Sequence, residues 1–187
     1  IAPRFMSRFK QVPKRLLVVG GGVTGSEMIH LFNRLGSEVT AVTDRAELLP
    51  RSVPMVSRAL EANFRDCGVT LHKNIRAESI ENTGAGVVVT LADGRRLEAD
   101  YAFVAIGRKP DLQNLNLENA GVKTRDNRIV VDGGSQTSVQ SIYAIGDSTG
   151  APMTANRAMT MGRKAARRAV VGSNGAYHPE WSVEAVY

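Results

Sequence analysis

The clearest pattern in the chain is a change of hydrophobic period between residues 16 and 44. Residues 16–19 are a continuous run of branched apolar side chains, the mark of a short strand buried on both faces. After a glycine-rich turn, Met28, Leu31, Phe32 and Leu35 recur at the i, i+3, i+4, i+7 spacing of one helix face, and Gly36 closes that helix. Residues 38–42 then predict a second strand. Ser52 is placed to cap a further helix, with Pro54 tolerated in its first turn, running to about Asp66 and ended by Gly68. On that helix Cys67 falls in step with Val56, Leu60 and Phe64, which predicts a buried packing thiol.

Residues 69–72 predict a third strand. From 77 to 99 the period shortens to that of strands punctuated by Gly84, Gly86 and Asp93-Gly94, and Asp-Gly between two β-branched runs is a hairpin signal. The expectation is an antiparallel meander crossing over to another buried parallel strand at 101–106, ended by Gly107. Residues 108–136 read as loop-rich, with a helical stretch at 115–120 and a strand at 129–132. Residues 142–145 predict a short strand leading to Gly146 and Asp147, and a helix runs from near Pro152 to about Val171. The sum is an α/β fold: a Rossmann-like doubly wound parallel sheet with an antiparallel β-meander crossover, plus part of a second domain. The expected divisions are a lead-in at 1–11, a nucleotide-binding domain at 12–108, a partial domain at 109–172, and a linker with the start of a further domain at 173–187.

The turn between the first strand and helix is Gly20-x-Gly22-x-x-Gly25. In such a turn the first glycine permits a tight bend, the second lets backbone approach a pyrophosphate, and the third lets the helix pack close on the strand. The free N–H groups and positive dipole end of the helix favour phosphate. Asp44 follows about 20 residues on, the expected distance for an acidic residue that meets a ribose. Asp147, at the end of a short apolar strand, suits a polyol or ribose, or alternatively caps the next helix.

Composition narrows the function classes. The chain has 187 residues, 43% of them hydrophobic and 5% aromatic, ordinary for an α/β protein, and a net charge of +6 that favours anionic ligands. Arg163, Lys164, Arg167 and Arg168 cluster on one predicted helix without the interleaved aromatics that stack bases, which argues against nucleic acid. No apolar run reaches the ~20 residues that cross a bilayer, so no membrane partner and a cytoplasmic setting are expected. A single cysteine excludes an internal disulfide, and the three histidines have no metal-ligand spacing.

Three motifs in order give the chain a family likeness: VVGGGVTGSE, VAIGRKP at 104–110, and TSVQSIYAIGD followed by GAPMTANRAMTMGRKAA. They resemble the NAD(P)H fingerprint, the interdomain linker and the second FAD fingerprint of pyridine nucleotide-disulfide oxidoreductases, the flavoproteins that include dihydrolipoamide dehydrogenase and soluble transhydrogenase. The resemblance implies that Gly20, Gly22 and Gly25 carry the pyrophosphate, that Val23 and Thr24 are among the cofactor-binding residues, and that Glu27 lies near the nicotinamide. Val23 stands where some relatives have a tyrosine lid. Ile106, Gly107 and Arg108 would pass close to cofactor, Gly146 and Asp147 would hold the ribityl chain of FAD, and Met153 and Thr154 would lie near the flavin ring.

NAD and NADP both stay open. Thr43 stands where NAD users often place Glu, Asp44 could take the ribose diol, and Arg45 could take a 2′-phosphate. The family's first FAD motif, with any redox cysteine pair, is expected before residue 1, and its dimerisation domain after residue 187. The reading is therefore a fragment, itself inactive, of a homodimeric enzyme that passes hydride from NAD(P)H to FAD and on to a disulfide. The alternatives are a disulfide-free quinone reductase or transhydrogenase acting on a small molecule, or a non-catalytic nucleotide-binding module.

Overall fold

Strand β1 (Arg15–Val19) lies inside a four-stranded parallel sheet, between β2 (Glu38–Val42) and β7 (Tyr101–Val104), with β3 (Thr70–His72) beyond β2. The computed structural model describes residues 11–172, which divide into two units between Gly107 and Arg108. The lead-in before residue 11 and the linker expected at 173–187 lie outside the described residues.

Alternation along β1 explains its unbroken hydrophobicity. Leu16 and Val18 pack with Ile29, Phe32 and Phe64, the face covered by α1 (Val23–Arg34) and α2 (Pro54–Asp66). Leu17 and Val19 pack with Val89, Leu91 and Ala99 on the opposite face. That face is covered by the meander β4 (Ala77–Asn82), β5 (Val87–Leu91) and β6 (Arg96–Ala99), a three-stranded antiparallel sheet. A parallel strand covered on both sides has no polar face to alternate with. The helix layer and the meander layer are therefore both written into five residues. Asp93-Gly94 turns the chain between β5 and β6, with Gly94 at φ +85° and its N–H donated to Leu91.

Several local expectations need correction. The inward face of α1 is Gly25, Ser26, Ile29 and Phe32; Met28 and Leu31 are half-buried at its margin and Leu35 is exposed. The face is rotated because Gly25, having no side chain, is the residue that touches the turn just past the end of β1. The N-cap of α2 is Val53, not Ser52, and its inward stripe is Ser57, Glu61 and Phe64. Cys67 is the C-cap of that helix and is exposed, since the chain has left the helical stripe by that position. The strand expected at 101–106 ends at Val104, and as an edge strand it buries Phe103 while Tyr101 and Val104 stay exposed.

In the second unit, Val122, Ile129 and Ala144 form a small core with Leu112, Leu117 and Ile142 against it. Residues 115–120 form successive turns rather than a helix, because Asn114 and Asn116 take positive φ (66° and 47°). The strand expected at 129–132 is the end of a two-residue hairpin, β8 (Thr124–Arg125) and β9 (Arg128–Ile129), turned by Asp126 and Asn127 at φ 50° and 55°. Residues 142–145 make a single bridge, Gln136 to Tyr143, because the segment alongside them matches them at that one pair. Helix α3 (Ala155–Val171) is capped by the Thr154 side chain, which accepts the Arg157 N–H, and ends at Gly172 in the left-handed region. Asp147 is not its cap.

Asp100, just before β7, ties that strand to the start of β1. Its carboxylate accepts the Arg15 N–H at 2.9 Å and a guanidinium N–H at 3.3 Å. The backbone hydrogen bond from Arg15 foremost, then its side chain, holds this carboxyl below its ordinary value against the opposing effect of partial burial. A depressed pKa stabilises the fold above the unfolded value, near about 4, and that contribution is lost as pH falls through the folded value. Asp100→Asn is therefore expected to lower stability at pH 7, with the gap from the unmutated chain narrowing progressively as pH falls below about 4. Urea titrations across that acid range check this, and a gap that does not narrow counts against it.

Candidate nucleotide-binding edge

Because β1, β2 and β7 run parallel, the segments that follow them emerge at one edge of the sheet. The chain moves outward from β1 to β2 and β3, then returns to β7 on the other side of β1. In open α/β sheets, ligands bind outside the carboxyl ends of the strands where the winding reverses. Gly20 donates its N–H to Val42 at 2.8 Å, and Ala105 donates to Val19 at 2.7 Å, so the three strand ends are tied together.

The three glycines meet different surroundings. Gly20 has φ +115°, and a Cβ there would run into the Ala105 carbonyl. A Cβ on Gly25 would run into the Gly20 carbonyl, so the helix touches the strand end backbone to backbone. Both glycines are thus demanded by the protein's own packing. Gly22 is different: its φ of −78° is open to any residue, and a Cβ would meet nothing within 4 Å. Gly22 is also the N-cap of α1, where no side chain makes a capping hydrogen bond and the first turn holds no acidic residue. Val23 and Thr24 open the helix, and Glu27 is half-buried in its second turn. A helix start whose N-cap offers no side-chain hydrogen bond, with open space where a Gly22 side chain would be, fits an anion from outside the chain.

At the end of β2, Thr43 turns inward: it is 5% exposed, and its Oγ1 accepts the Arg45 N–H at 3.2 Å. Its side chain lies under the turn, where a Cβ on Gly21 would stand 3.0 Å from that Oγ1. Asp44 and Arg45 point outward as an exposed ion pair at 3.3 Å. Such pairs contribute under about 1 kcal/mol, so either side chain can exchange its partner for a ligand. Past β7, Ile106 is exposed, and Gly107 has φ +134° with open space where a Cβ would be. The edge thus gathers the segments that leave the three strands, with Gly20, Gly22, Val23, Thr24 and Gly25 after β1, Thr43, Asp44 and Arg45 after β2, and Ile106 and Gly107 after β7, while Glu27 sits one helical turn further on.

The remaining expected residues lie in the second unit. Arg108 opens that unit and is exposed. Gly146 begins a 3-10 turn (Gly146–Thr149) at φ +64° and is buried, while Asp147 is exposed. Met153 and Thr154 are half-buried at the start of α3.

This segment is organised by a residue the sequence reading did not single out. Arg157, 6% exposed, donates to the carbonyls of Gly146 (3.0 Å), Gly150 (2.9 Å) and Pro152 (3.4 Å), and to Thr149 Oγ1 (2.8 Å). Within the basic run of α3 nothing but spacing marks it: Arg157, Met161 and Ala165 share one inward stripe. Glu61 was also missed, although a carboxylate between Ser57 and Phe64 on a buried stripe signals a partner inside the fold.

Sheet order, meander crossover and glycine turn define an α/β protein of the Rossmann-like type. The chain belongs to the pyridine nucleotide-disulphide oxidoreductase family, whose model matches residues 6–162. It is 42% identical over 153 residues to an NAD(P)H dehydrogenase (quinone) of Mycobacterium tuberculosis, covering 81% of this chain and 31% of that protein. It is 38% identical over 162 residues to a dihydrolipoyl dehydrogenase of Bacillus subtilis, covering 85% of this chain and 35% of that one. The crystal structure of LpdA from M. tuberculosis superposes with a TM-score of 0.84 at 39% identity, over 91% of this chain and 37% of that one. The chain thus spans about a third of the length of these relatives. Among the described residues no helix is long and apolar enough to cross a membrane.

Arg157→Met should remove the guanidinium from the Gly150 and Pro152 carbonyls and from the Thr149 hydroxyl, and leave the Gly146 carbonyl with the Thr149 hydroxyl alone, a loss of about 3 kcal/mol for several buried hydrogen bonds to a charged donor. The expected result is faster amide exchange at Gly146–Gly150 and a lower melting temperature, with Arg157→Lys intermediate. Unchanged exchange in that turn would show that its shape does not depend on Arg157.

Proposed function

We propose that the first unit binds NAD(P)H along its sheet edge, and that the whole protein is an FAD-dependent oxidoreductase taking electrons from that coenzyme. The observation that carries this reading is Gly22: packing explains Gly20 and Gly25, but the space at Gly22 is left clear by the protein itself. In this reading the Gly22–Gly25 backbone and the start of α1 receive the pyrophosphate. Asp44 takes a ribose diol, or Arg45 a 2′-phosphate, while Thr43, turned inward, supports the turn. Glu27 sets a charge near the nicotinamide, and Ile106 and Gly107 border the same edge. Arg108 follows them at the head of the second unit.

In the second unit, Asp147 is the residue for the ribityl hydroxyls of FAD, with Gly146, Met153 and Thr154 beside it. When bound, the nicotinamide supplies a hydride and the flavin accepts it. Residues of the first unit hold the nicotinamide coenzyme, residues of the second hold the flavin, and neither set contributes an acid or base. The terminal acceptor is a disulfide by family resemblance. A quinone is the second reading, supported by the name of the 42% identical mycobacterial relative. A homodimer working in the cytoplasm, where reduced nicotinamide coenzyme is supplied, completes the proposal.

Two glycine variants test the binding reading. Gly22→Val is expected to abolish NADH and NADPH binding in calorimetric titration, with stability changed by no more than about 1 kcal/mol, since a Cβ there has no neighbour within 4 Å. Gly25→Val is expected to destabilise the fold itself, because its side chain must displace the Gly20 carbonyl. Full nucleotide affinity in a folded Gly22→Val chain would overturn the assignment. The same titration on the unmutated chain decides the coenzyme: tighter NADH assigns the ribose to Asp44, and tighter NADPH assigns a 2′-phosphate to Arg45.

A further inference from the structure

The loop after β2 is held by an ion pair between a buried carboxylate and a half-exposed lysine, and nucleotide binding at the sheet edge assigns it no part. Glu61, 4% exposed on α2, accepts the Leu48 N–H on Oε1 at 2.9 Å and the Lys73 ammonium on Oε2 at 2.6 Å. A carboxylate withdrawn from water is stable only when both oxygens find donors, and here one donor is backbone and the other a charge. Leu48 and Leu49, both buried, are thereby fixed beneath the glycine turn. Leu49, at φ +49°, donates its N–H to the Gly21 carbonyl at 2.7 Å, and its own carbonyl accepts the Ser57 hydroxyl at 3.3 Å. A Cβ on Gly21 would stand 2.8 Å from the Leu48 side chain, so the loop and the turn are in close contact.

The other end of the loop is pinned by the segment after β3 that carries Lys73. Asn74 donates to the Arg45 carbonyl at 3.0 Å and Ile75 to the Thr43 carbonyl at 3.0 Å. The segment bearing Asp44 and Arg45 thus hangs between two anchors, and the Glu61–Lys73 pair links the helix under one to the segment leaving β3 beside the other. We infer that Glu61 is a positioning residue for dinucleotide binding: through Leu48 and Leu49 it fixes the ribose-facing loop against the phosphate-facing turn. The inference rests on the sheet edge being the nucleotide site.

The test titrates NADH, NADPH and ADP-ribose into the 187-residue chain and its Glu61→Ala, Glu61→Gln and Lys73→Met variants, well below each variant's melting temperature. Glu61→Ala is expected to weaken the preferred coenzyme and ADP-ribose alike by about ten-fold, since the adenosine half is what the loop faces. Glu61→Gln keeps an oxygen for the Leu48 N–H and should restore affinity to within about two-fold. Lys73→Met, which leaves that backbone bond in place, should fall between the two. A role confined to stability would lower melting temperatures while leaving affinity in the folded chain unchanged, and that outcome overturns the inference, as does a Gln variant no better than Ala. If Glu61→Ala does not fold, the Gln and Met variants decide. An unmutated chain that binds none of these ligands overturns the nucleotide site, and this inference with it. One that binds, with affinity indifferent to position 61, overturns the positioning role alone.

Discussion

The contact of Gly25 with the Gly20 carbonyl is the constraint from which the first unit is arranged. It draws α1 against the end of β1 with no side chain between them, closer than any other residue at position 25 would permit. From that approach follow the rotated inward face of α1, led by Ile29 and Phe32, and the uncapped helix start beside the strand ends. Gly20 must in turn clear the Ala105 carbonyl, which sets the turn against the segment leaving β7. The two glycines that cannot change for reasons of packing thereby frame the one whose surroundings are empty.

The two units solve the problem of polar backbone differently. In the first, strand ladders and helices satisfy it over long stretches, and side chains such as Asp100 and Glu61 act at the seams. In the second, regular structure is scarce, so single side chains carry more of the organisation. Arg157 collects three carbonyls around one guanidinium, and Asp132 accepts from Gly134, Gln136 and Arg168. A loop held by one residue's fork of donors is precise in shape but has few independent supports.

The first unit was largely legible in the sequence because its elements announce themselves by period. The run at 16–19, the glycine turn, the second strand at 38–42 and the meander all stand where the pattern puts them. What pattern missed is tertiary. Leu35 and Cys67 continue helical stripes that the packing no longer follows at the helix ends, so both are exposed. Ser52 offers a cap that the backbone declines in favour of Val53. In the second unit Leu117, Ile142 and Ala144 do reach a core, the first through turns set by asparagines in left-handed geometry and the other two beside a single bridge, rather than through helix or strand. Of the candidate residues at the sheet edge, those on the glycine turn could be read from spacing alone. The inward turn of Thr43 and the roles of Glu61 and Arg157 required knowing which backbone groups lay opposite them.

The meander between β3 and β7 has a consequence for the order in which the first unit is assembled. Arg15 and Asp100, which bring the start of β1 to β7, are 85 residues apart in the chain, whereas β1, α1 and β2 are near neighbours. Pairings across long separations form late, because the closure entropy of the intervening chain must be overcome first. During synthesis the glycine turn therefore emerges and docks its helix well before Ala105 arrives to stand beside Gly20. The edge is complete only when its last strand has closed, so a nascent chain halted within the meander carries the fingerprint motif without the wall that shapes it.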